Sequence, residues 1–93
     1  MNEMEKYYVY IIYSKICDCY YKGFSLNPLK RLNQHINGES NFTSKFSDWK
    51  LVYIEIFNEK SLALKREKSL KKYAKSQILD LIQSPQNKLN ELG

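Results

Sequence analysis

The segment from Tyr7 to Tyr13 constrains the fold more than any other, because every position in it is apolar, aromatic or β-branched. A strand with one face in water alternates apolar and polar residues, whereas a strand covered on both faces is apolar throughout. The segment therefore predicts a central strand with other elements packed on both of its faces. No apolar run in the chain approaches the roughly 18 residues of a membrane span, so no membrane partner is predicted.

Turn and capping signals divide the rest of the chain into short elements. Cys19–Gly23 is predicted to be the second arm of a hairpin with the first strand. Asn27-Pro28 is typical of a helix start, and this first helix is predicted to stop at Asn37-Gly38. A third strand is predicted at residues 51–57, a second helix at 59–73, and a third helix from about residue 76 to before residue 85. Asn58 and Ser76 are the predicted caps of these two helices.

The predicted order of elements is β-β-α-β-α-α. This order describes an α+β domain, an α/β sandwich in which a small three-stranded antiparallel sheet is flanked by three helices. The 93 residues leave room for one domain, which we predict to span residues 1–83. Residues 84–93 are polar and are predicted to form a mobile C-terminal tail.

The charge of the chain favours a polyanionic partner. Fifteen Lys and Arg against ten Asp and Glu give a net charge of +5, and eight residues are tyrosine. Cations displace counterions from phosphates, and aromatic rings stack on bases. The same charge would also simply keep a small protein soluble, so composition leaves both explanations open. Cys17 and Cys19 are predicted to be reduced thiols, which favours a cytoplasmic protein.

Two charged groups interrupt the predicted helical faces. Glu67 lies on one stripe of the second helix with Ala63 and Leu70, where an unpaired carboxylate would cost several kcal/mol. Four explanations are open: Glu67 forms an internal ion pair (for instance with Arg31), lies at the edge of the stripe, binds a metal ion, or acts as a general base. Arg31 and His35, four positions apart on the first helix, are either a phosphate-binding pair or ordinary surface residues.

The order of several short motifs is more specific than any one of them. Tyr8-Val9-Tyr10, then Tyr21-Lys22-Gly23, then Arg31 and His35, then Arg66-Glu67 on a later helix, resemble the GIY-YIG nuclease domain. The resemblance covers roughly residues 6 to 83 and is closest to standalone proteins related to the N-terminal nuclease domain of the excision-repair nuclease, excinuclease C. It implies a three-stranded antiparallel sheet with helices, and an endonuclease that hydrolyses nucleic-acid phosphodiesters in DNA repair or processing.

The resemblance also implies a catalytic site and a cofactor. The implied catalytic residues are Tyr10, Tyr21, Arg31, His35 and Glu67. Glu67 is the implied ligand of a single Mg²⁺ or Mn²⁺, and Arg31 the partner of the scissile phosphate. Tyr10 is assigned as the general base, and Tyr21 or His35 as positioning groups or proton relays. No organic cofactor is expected.

Contacts to nucleic acid, with DNA preferred over RNA, are predicted for a second group of residues: Lys22, Ser25, Lys30, Lys45 and Arg66. The sequence departs from the family pattern here. Lys22 replaces an apolar residue in the second triplet, and Phe24-Ser25 replaces a basic residue after the glycine. The alternative is therefore a catalytically weak or inactive nucleic-acid-binding module with the same fold.

Overall fold

The computed structural model describes residues 5–40 and 43–92, which form one antiparallel sheet with helices on both faces. The strands are β1 (Tyr7–Ser14), β2 (Cys19–Ser25) and β3 (Lys50–Phe57). They lie in the order β2-β1-β3, so that β1 is central and β2 is an edge strand. The helices are α1 (Pro28–Ile36), α2 (Lys60–Leu70) and α3 (Lys75–Ile82), followed by a short 3₁₀ helix, Leu89–Leu92. The predicted fold class and element order are confirmed.

The two faces of β1 contribute to two separate cores. Val9 and Ile11 point to the side covered by α2 and α3, while Tyr10 and Ile12 point to the opposite side. The buried residues on the α2–α3 side are Val9, Ile11, Tyr53, Ala63, Leu70, Ile78 and Leu81. Those on the opposite side, which is covered by α1 and the 3₁₀ helix, are Tyr10, Ile12, Trp49, Leu51 and Ile54. Burial on both sides is the reason that β1 has no polar face.

The helix ends agree with the sequence at α1 and differ elsewhere. The Asn27 side chain accepts a hydrogen bond from the Lys30 amide at 3.1 Å, as a capping asparagine does. The predicted caps Asn58 and Ser76 are wrong, because α2 and α3 follow Glu59 and Ala74 as capping positions. In α3 the Ala74 backbone amide instead donates to the Gln77 side chain. A residue within the helix thus accepts a hydrogen bond from the backbone amide at the capping position.

The second helix is also shorter than predicted, since α2 ends at Leu70 and not at Tyr73. Its buried side consists of Ala63 and Leu70, and Glu67 between them is only partly buried. Among the described residues, no helix is both long and apolar enough to cross a membrane.

The chain after α3 returns to the sheet, which corrects the prediction of a mobile tail beginning at residue 84. The Asn87 side chain donates to the carbonyls of Val52 and Ile82 at 3.0 and 2.9 Å. It also accepts from the amides of Ile54 and Leu89 at 3.2 and 3.0 Å. Residues 84–92 are therefore bound to β3, while residue 93 lies outside the described part of the chain.

The loop between β1 and β2 brings the two cysteines together. The sulfur atoms of Cys17 and Cys19 lie next to each other, and the reduced state of the two thiols stays a prediction. The same loop is connected to α3, because Asp18 forms an ion pair with Lys75 and accepts a hydrogen bond from Tyr13.

Candidate active site

The candidate site begins at the pairing of Tyr10 on β1 with Gly23 on β2. The Tyr10 side chain lies across this glycine, and a Cβ atom at position 23 would overlap its hydroxyl oxygen and ring. Glycine, which has no side chain, is therefore required so that the tyrosine can cross the edge strand. The glycine that ends the second sequence triplet thus has a steric explanation.

The Tyr10 hydroxyl belongs to a buried chain of hydrogen bonds. It lies 2.9 Å from His35 Nε2, and His35 Nδ1 lies 2.7 Å from Thr43 Oγ1. The Trp49 indole nitrogen donates to the Thr43 carbonyl at 3.0 Å, which ties this loop to the core. His35 and Thr43 are fully buried, and Tyr10 is 1 % exposed. The chain therefore holds both rings in place against α1 and the following loop.

Arg31 places a positive charge beside these hydrogen bonds. Its guanidinium donates to Gln34 Oε1 at 2.9 Å and interacts with the Tyr10 phenol. Both tautomers of a neutral His35 fit the two contacts: with the hydrogen on Nδ1 the phenol donates to Nε2, and with the hydrogen on Nε2 the phenol oxygen accepts it.

Burial moves the pKa values of Tyr10 and His35 away from neutral pH. It raises the pKa of Tyr10 to about 12, an effect that the Arg31 guanidinium opposes and that Tyr21 and Glu67 add to. Burial and the nearby Arg31 charge lower the pKa of His35 to about 4. At neutral pH the pair is therefore an uncharged phenol and an uncharged imidazole.

Glu67 reaches the same region from α2. Its side chain is 19 % exposed and forms an ion pair with Lys71, one helical turn further on, at 3.4 Å. The Glu67 charge contributes to the raised pKa of Tyr10, so the two groups are near each other. The ion pair is with Lys71 and not with Arg31, the partner that the sequence suggested for an internal pair. The carboxylate is partly exposed.

Tyr21 completes the group. Its ring meets the His35 ring edge-on with centroids 5.1 Å apart. Of the five side chains for which a catalytic role was predicted, the structure thus joins Tyr10, Tyr21 and His35 by direct contacts, while Arg31 and Glu67 lie near enough for their charges to act on Tyr10.

The side chains predicted to contact nucleic acid are more dispersed. Lys22 lines a cleft beside Tyr21, and Lys30 and Lys45 are exposed. The Ser25 hydroxyl accepts a hydrogen bond from the Asn27 amide at 2.9 Å, which shapes the turn into α1. These positions leave three lysines accessible to a ligand and give Ser25 a local structural contact.

Arg66 does not join the site. Its Nε donates to both carboxylate oxygens of Glu55 at 3.1 Å, and its Nη1 donates to the Tyr73 hydroxyl at 3.2 Å. Tyr53, fully buried, donates to the same Glu55 carboxylate. The arginine therefore serves an ion pair on β3, and sequence proximity to Glu67 was misleading because adjacent helical residues point in different directions.

Three functional contacts were not predicted from the sequence. Thr43 and Trp49 hold His35, and Lys71 holds Glu67. The i,i+4 spacing of Glu67 and Lys71 was visible as an ion-pair signal on a helix. The loop before β3 has no periodic pattern, so no comparable signal connected Thr43 to His35.

The donor set fits one hard divalent cation. Among residues 5–40 and 43–92, no three His, Cys, Asp or Glu side chains come together. A single accessible carboxylate is nevertheless a suitable anchor for Mg²⁺, which keeps several waters and takes the remaining oxygens from a substrate phosphate. Glu67 would hold the ion, after its contact with the flexible Lys71 side chain is exchanged.

Comparison with known proteins adds independent findings. The family model described as the GIY-YIG catalytic domain matches residues 6–79. A UPF0213 protein of Staphylococcus saprophyticus is 38% identical over 80 residues, which are 85% of this chain and 96% of the relative. A UPF0213 protein of Syntrophus aciditrophicus is 36% identical over 90 residues, 89% of this chain and 98% of the relative. A third, from Clostridium perfringens, is 40% identical over 78 residues, 83% of each chain. No solved structure matches the chain.

Proposed function

The chain belongs to the GIY-YIG family, and from this premise we propose that it is a metal-dependent endonuclease that hydrolyses nucleic-acid phosphodiesters. The observation that carries the proposal is the hydrogen bond between the Tyr10 hydroxyl and His35, with Arg31 and Glu67 near enough for their charges to act on the phenol. These groups supply positive charge, a proton acceptor and an oxygen ligand within one site.

Charge is the first requirement of the reaction. A phosphodiester gathers negative charge on its oxygens as water attacks phosphorus, and a fixed guanidinium offsets that charge. Arg31 is held by Gln34, so its guanidinium is already oriented before the substrate arrives. Glu67 would hold a divalent cation, which would supply further positive charge at the phosphate and promote loss of the proton from the attacking water.

Proton removal is the second requirement. Tyr10 accepts the proton of the attacking water while passing its own proton along its 2.9 Å hydrogen bond to His35 Nε2. This path suits a phenol whose pKa is about 12, because it never requires a free phenolate to accumulate. His35 can receive the proton in the tautomer whose Nδ1–H is donated to Thr43. We assign Tyr10 as the base, His35 as its relay and Tyr21 as a positioning group.

We extend the proposal to the substrate and the setting of the reaction: DNA in preference to RNA, a role in repair or processing, and a cytoplasmic location. Lys30 on α1 and Lys45 in the loop after it are exposed and would contact the nucleic-acid backbone, whose contacts dominate non-specific affinity.

A second candidate is a nucleic-acid-binding module with little turnover. It is favoured by the Glu67–Lys71 ion pair, which neutralises the proposed metal ligand, and by Lys22 and Phe24 at positions where the sequence departs from the family pattern. This module would bind nucleic acid without releasing products.

The two candidates are separated by a cleavage panel with matched variants. Labelled branched, nicked, duplex and single-stranded substrates are incubated with wild type, Glu67→Gln and Glu39→Gln, with Mg²⁺, Mn²⁺ or a chelator. Glu39 is an exposed acid in the loop after α1, so the control changes the same charge outside the site. We expect Glu67→Gln to lower the cleavage rate at least about 100-fold and Glu39→Gln to cleave as wild type.

Equal metal-dependent cleavage by wild type and Glu67→Gln would contradict the mechanism. Binding without product from any substrate would favour the binding module. Circular dichroism and thermal unfolding of each variant establish that a loss of rate is not a loss of folding.

A further inference from the structure

A second cleft lies beside the candidate site on the edge of the sheet. It is lined by Tyr20, Tyr21 and Lys22 of β2 and by Lys71, which follows α2, and its volume is about 390 Å³. This volume is at the small end of ligand-binding pockets in general. Tyr21 belongs to both places, because its other neighbour is the His35 ring.

The lining of this cleft is cationic. It contains two ammonium groups and two phenols, and none of the described residues that line it is acidic. Burial lowers the pKa of Lys22, and no carboxylate opposes that effect. An anion bound in the cleft would stabilise the charged form of Lys22, which burial disfavours. Ammonium and phenol groups are both hydrogen-bond donors to phosphate oxygens.

Lys71 connects the cleft to the proposed metal ligand. Its Nζ atom lies 3.4 Å from Glu67 Oε2, and the lysine side chain is 55 % exposed, so it has room to move. A cation bound by Glu67 would compete with this ammonium for the same carboxylate. The Lys71 ammonium, once displaced from Glu67, would be available to an anion bound in the adjacent cleft.

A larger cleft elsewhere in the described structure has a different character. It lies against the Glu55–Arg66 ion pair, and Lys88 and Glu91 also line it as a pair. Of its three cations, only Lys6 has no acidic partner among the lining residues, so acidic and basic groups are mixed in this cleft.

We propose that Tyr20, Tyr21, Lys22 and Lys71 form a second phosphate subsite, which binds a backbone phosphate next to the scissile one. The inference rests on the proposed function, because it takes nucleic acid as the ligand. Lys71 has two partners in this scheme: it neutralises Glu67 in the free protein, and it binds the neighbouring phosphate when nucleic acid enters the cleft. A metal bound by Glu67 would favour the second position but is not required for it.

The test measures binding without cleavage. A short fluorescein-labelled single-stranded DNA is titrated in a chelator, at several salt concentrations, with wild type, Lys71→Gln, Lys71→Arg and Lys65→Gln. Lys65 is an exposed lysine of α2 that does not line the cleft, so it controls for the loss of one charge. We expect Lys71→Gln to weaken binding roughly 3- to 10-fold and to reduce the salt slope by about 0.7. Lys65→Gln should change affinity less than about twofold, and Lys71→Arg should retain it.

A second measurement follows the carboxylate. Mn²⁺ binding, measured by electron paramagnetic resonance without nucleic acid, should be tighter in Lys71→Gln than in wild type and unchanged in Lys65→Gln. The result that overturns the subsite is equal DNA binding and equal salt slopes for Lys71→Gln and Lys65→Gln.

The outcomes separate this inference from the proposed function. Metal-dependent cleavage by wild type together with equal binding by the two glutamine variants removes the subsite and leaves the nuclease. Absence of cleavage together with a selective loss of binding in Lys71→Gln removes the nuclease and leaves the subsite.

Discussion

His35 shows at the scale of one residue how burial sets the charge state of a side chain. The ring lies between Tyr10 and Thr43, with both nitrogens in contact with a hydroxyl group and no exposed surface. A solvent-exposed imidazole would be partly protonated near pH 6.5 and would lose its acceptor. The buried ring, whose pKa is about 4, stays neutral near pH 7, as the proposed role of proton relay requires.

This shift predicts a pH dependence of stability. The pKa of the folded state is below that of the unfolded state, so the unfolded state binds more protons between pH 6.5 and about 4. The contribution of the neutral His35 ring to the free energy of unfolding is complete above pH 6.5 and is lost as the pH falls through 4. It amounts to about 3 kcal/mol at most. The free energies of unfolding of wild type and His35→Gln, measured with denaturant across this range, should become more similar as the pH falls.

The imidazole can be followed directly, because His35 is the only histidine in the chain. Its NMR titration should have a midpoint near pH 4. A midpoint near the unperturbed value of about 6.5, with the same pH dependence of unfolding in both proteins, would contradict the buried relay.

The proposed catalytic residues could be identified from the sequence because the order of their motifs is distinctive, whereas the residues that contact them could not. Tyr10, Arg31 and Glu67 belong to motifs that can be matched by position alone. Thr43 acts on His35 through a loop, and the sequence contains no periodicity that would indicate this contact. The direction of Arg66 depends on Glu55, a residue on another element, and could not be deduced from its place beside Glu67.

At the scale of elements, the periodic segments were predicted and the connections between them were not. β1 and α1 carry strong local signals, namely an all-apolar run and an Asn-Pro start. The segment after α3 is polar, and polar segments usually remain in solvent. Here one side chain, Asn87, satisfies two amides and two carbonyls, which anchors a segment with little apolar surface.

The anchor can be tested with an isosteric change. Asn87→Asp replaces two donors by an oxygen that faces the carbonyls of Val52 and Ile82, so we expect stability to fall by about 1–3 kcal/mol. The exposed Asn90 provides the control, since Asn90→Asp adds the same charge three residues further on. Denaturant unfolding measures the difference, and hydrogen exchange of the Lys88 amide, which donates to the Ile54 carbonyl at 2.8 Å, reports local opening.

If Asn87→Asp and Asn90→Asp were equally stable, with equal exchange at Lys88, the segment would not depend on this side chain. The contacts of Leu89 and Leu92 with the core would then account for its position.

For the whole molecule, the distribution of charge matters more than the net value of +5. Arg66 and Lys75 are engaged with Glu55 and Asp18, so the cations accessible to a polyanion are fewer than the sequence count suggests. Composition indicated the sign of the partner's charge. It could not indicate the number of contacts, because pairing depends on the folded arrangement.

The number of contacts sets the salt dependence of binding. A duplex that contacts Arg31, Lys22 and Lys71 should lose affinity with a slope of about −3 in log–log form, measured by fluorescence anisotropy in a chelator. Substitution of the paired Arg66 by Met should leave this slope unchanged. An affinity that does not vary with salt would exclude backbone contacts as the main source of binding.

The bare backbone at Gly23 also protects the hairpin from pairing in the wrong alignment. If β2 slipped by one position, Lys22 or Phe24 would stand opposite Tyr10, and its Cβ would occupy the space that the phenol needs. A misaligned hairpin would therefore have to expel the Tyr10 ring from its place beside His35. The Tyr10 ring reaches the candidate site only by crossing the backbone at Gly23, so the site forms only when the two strands are correctly aligned.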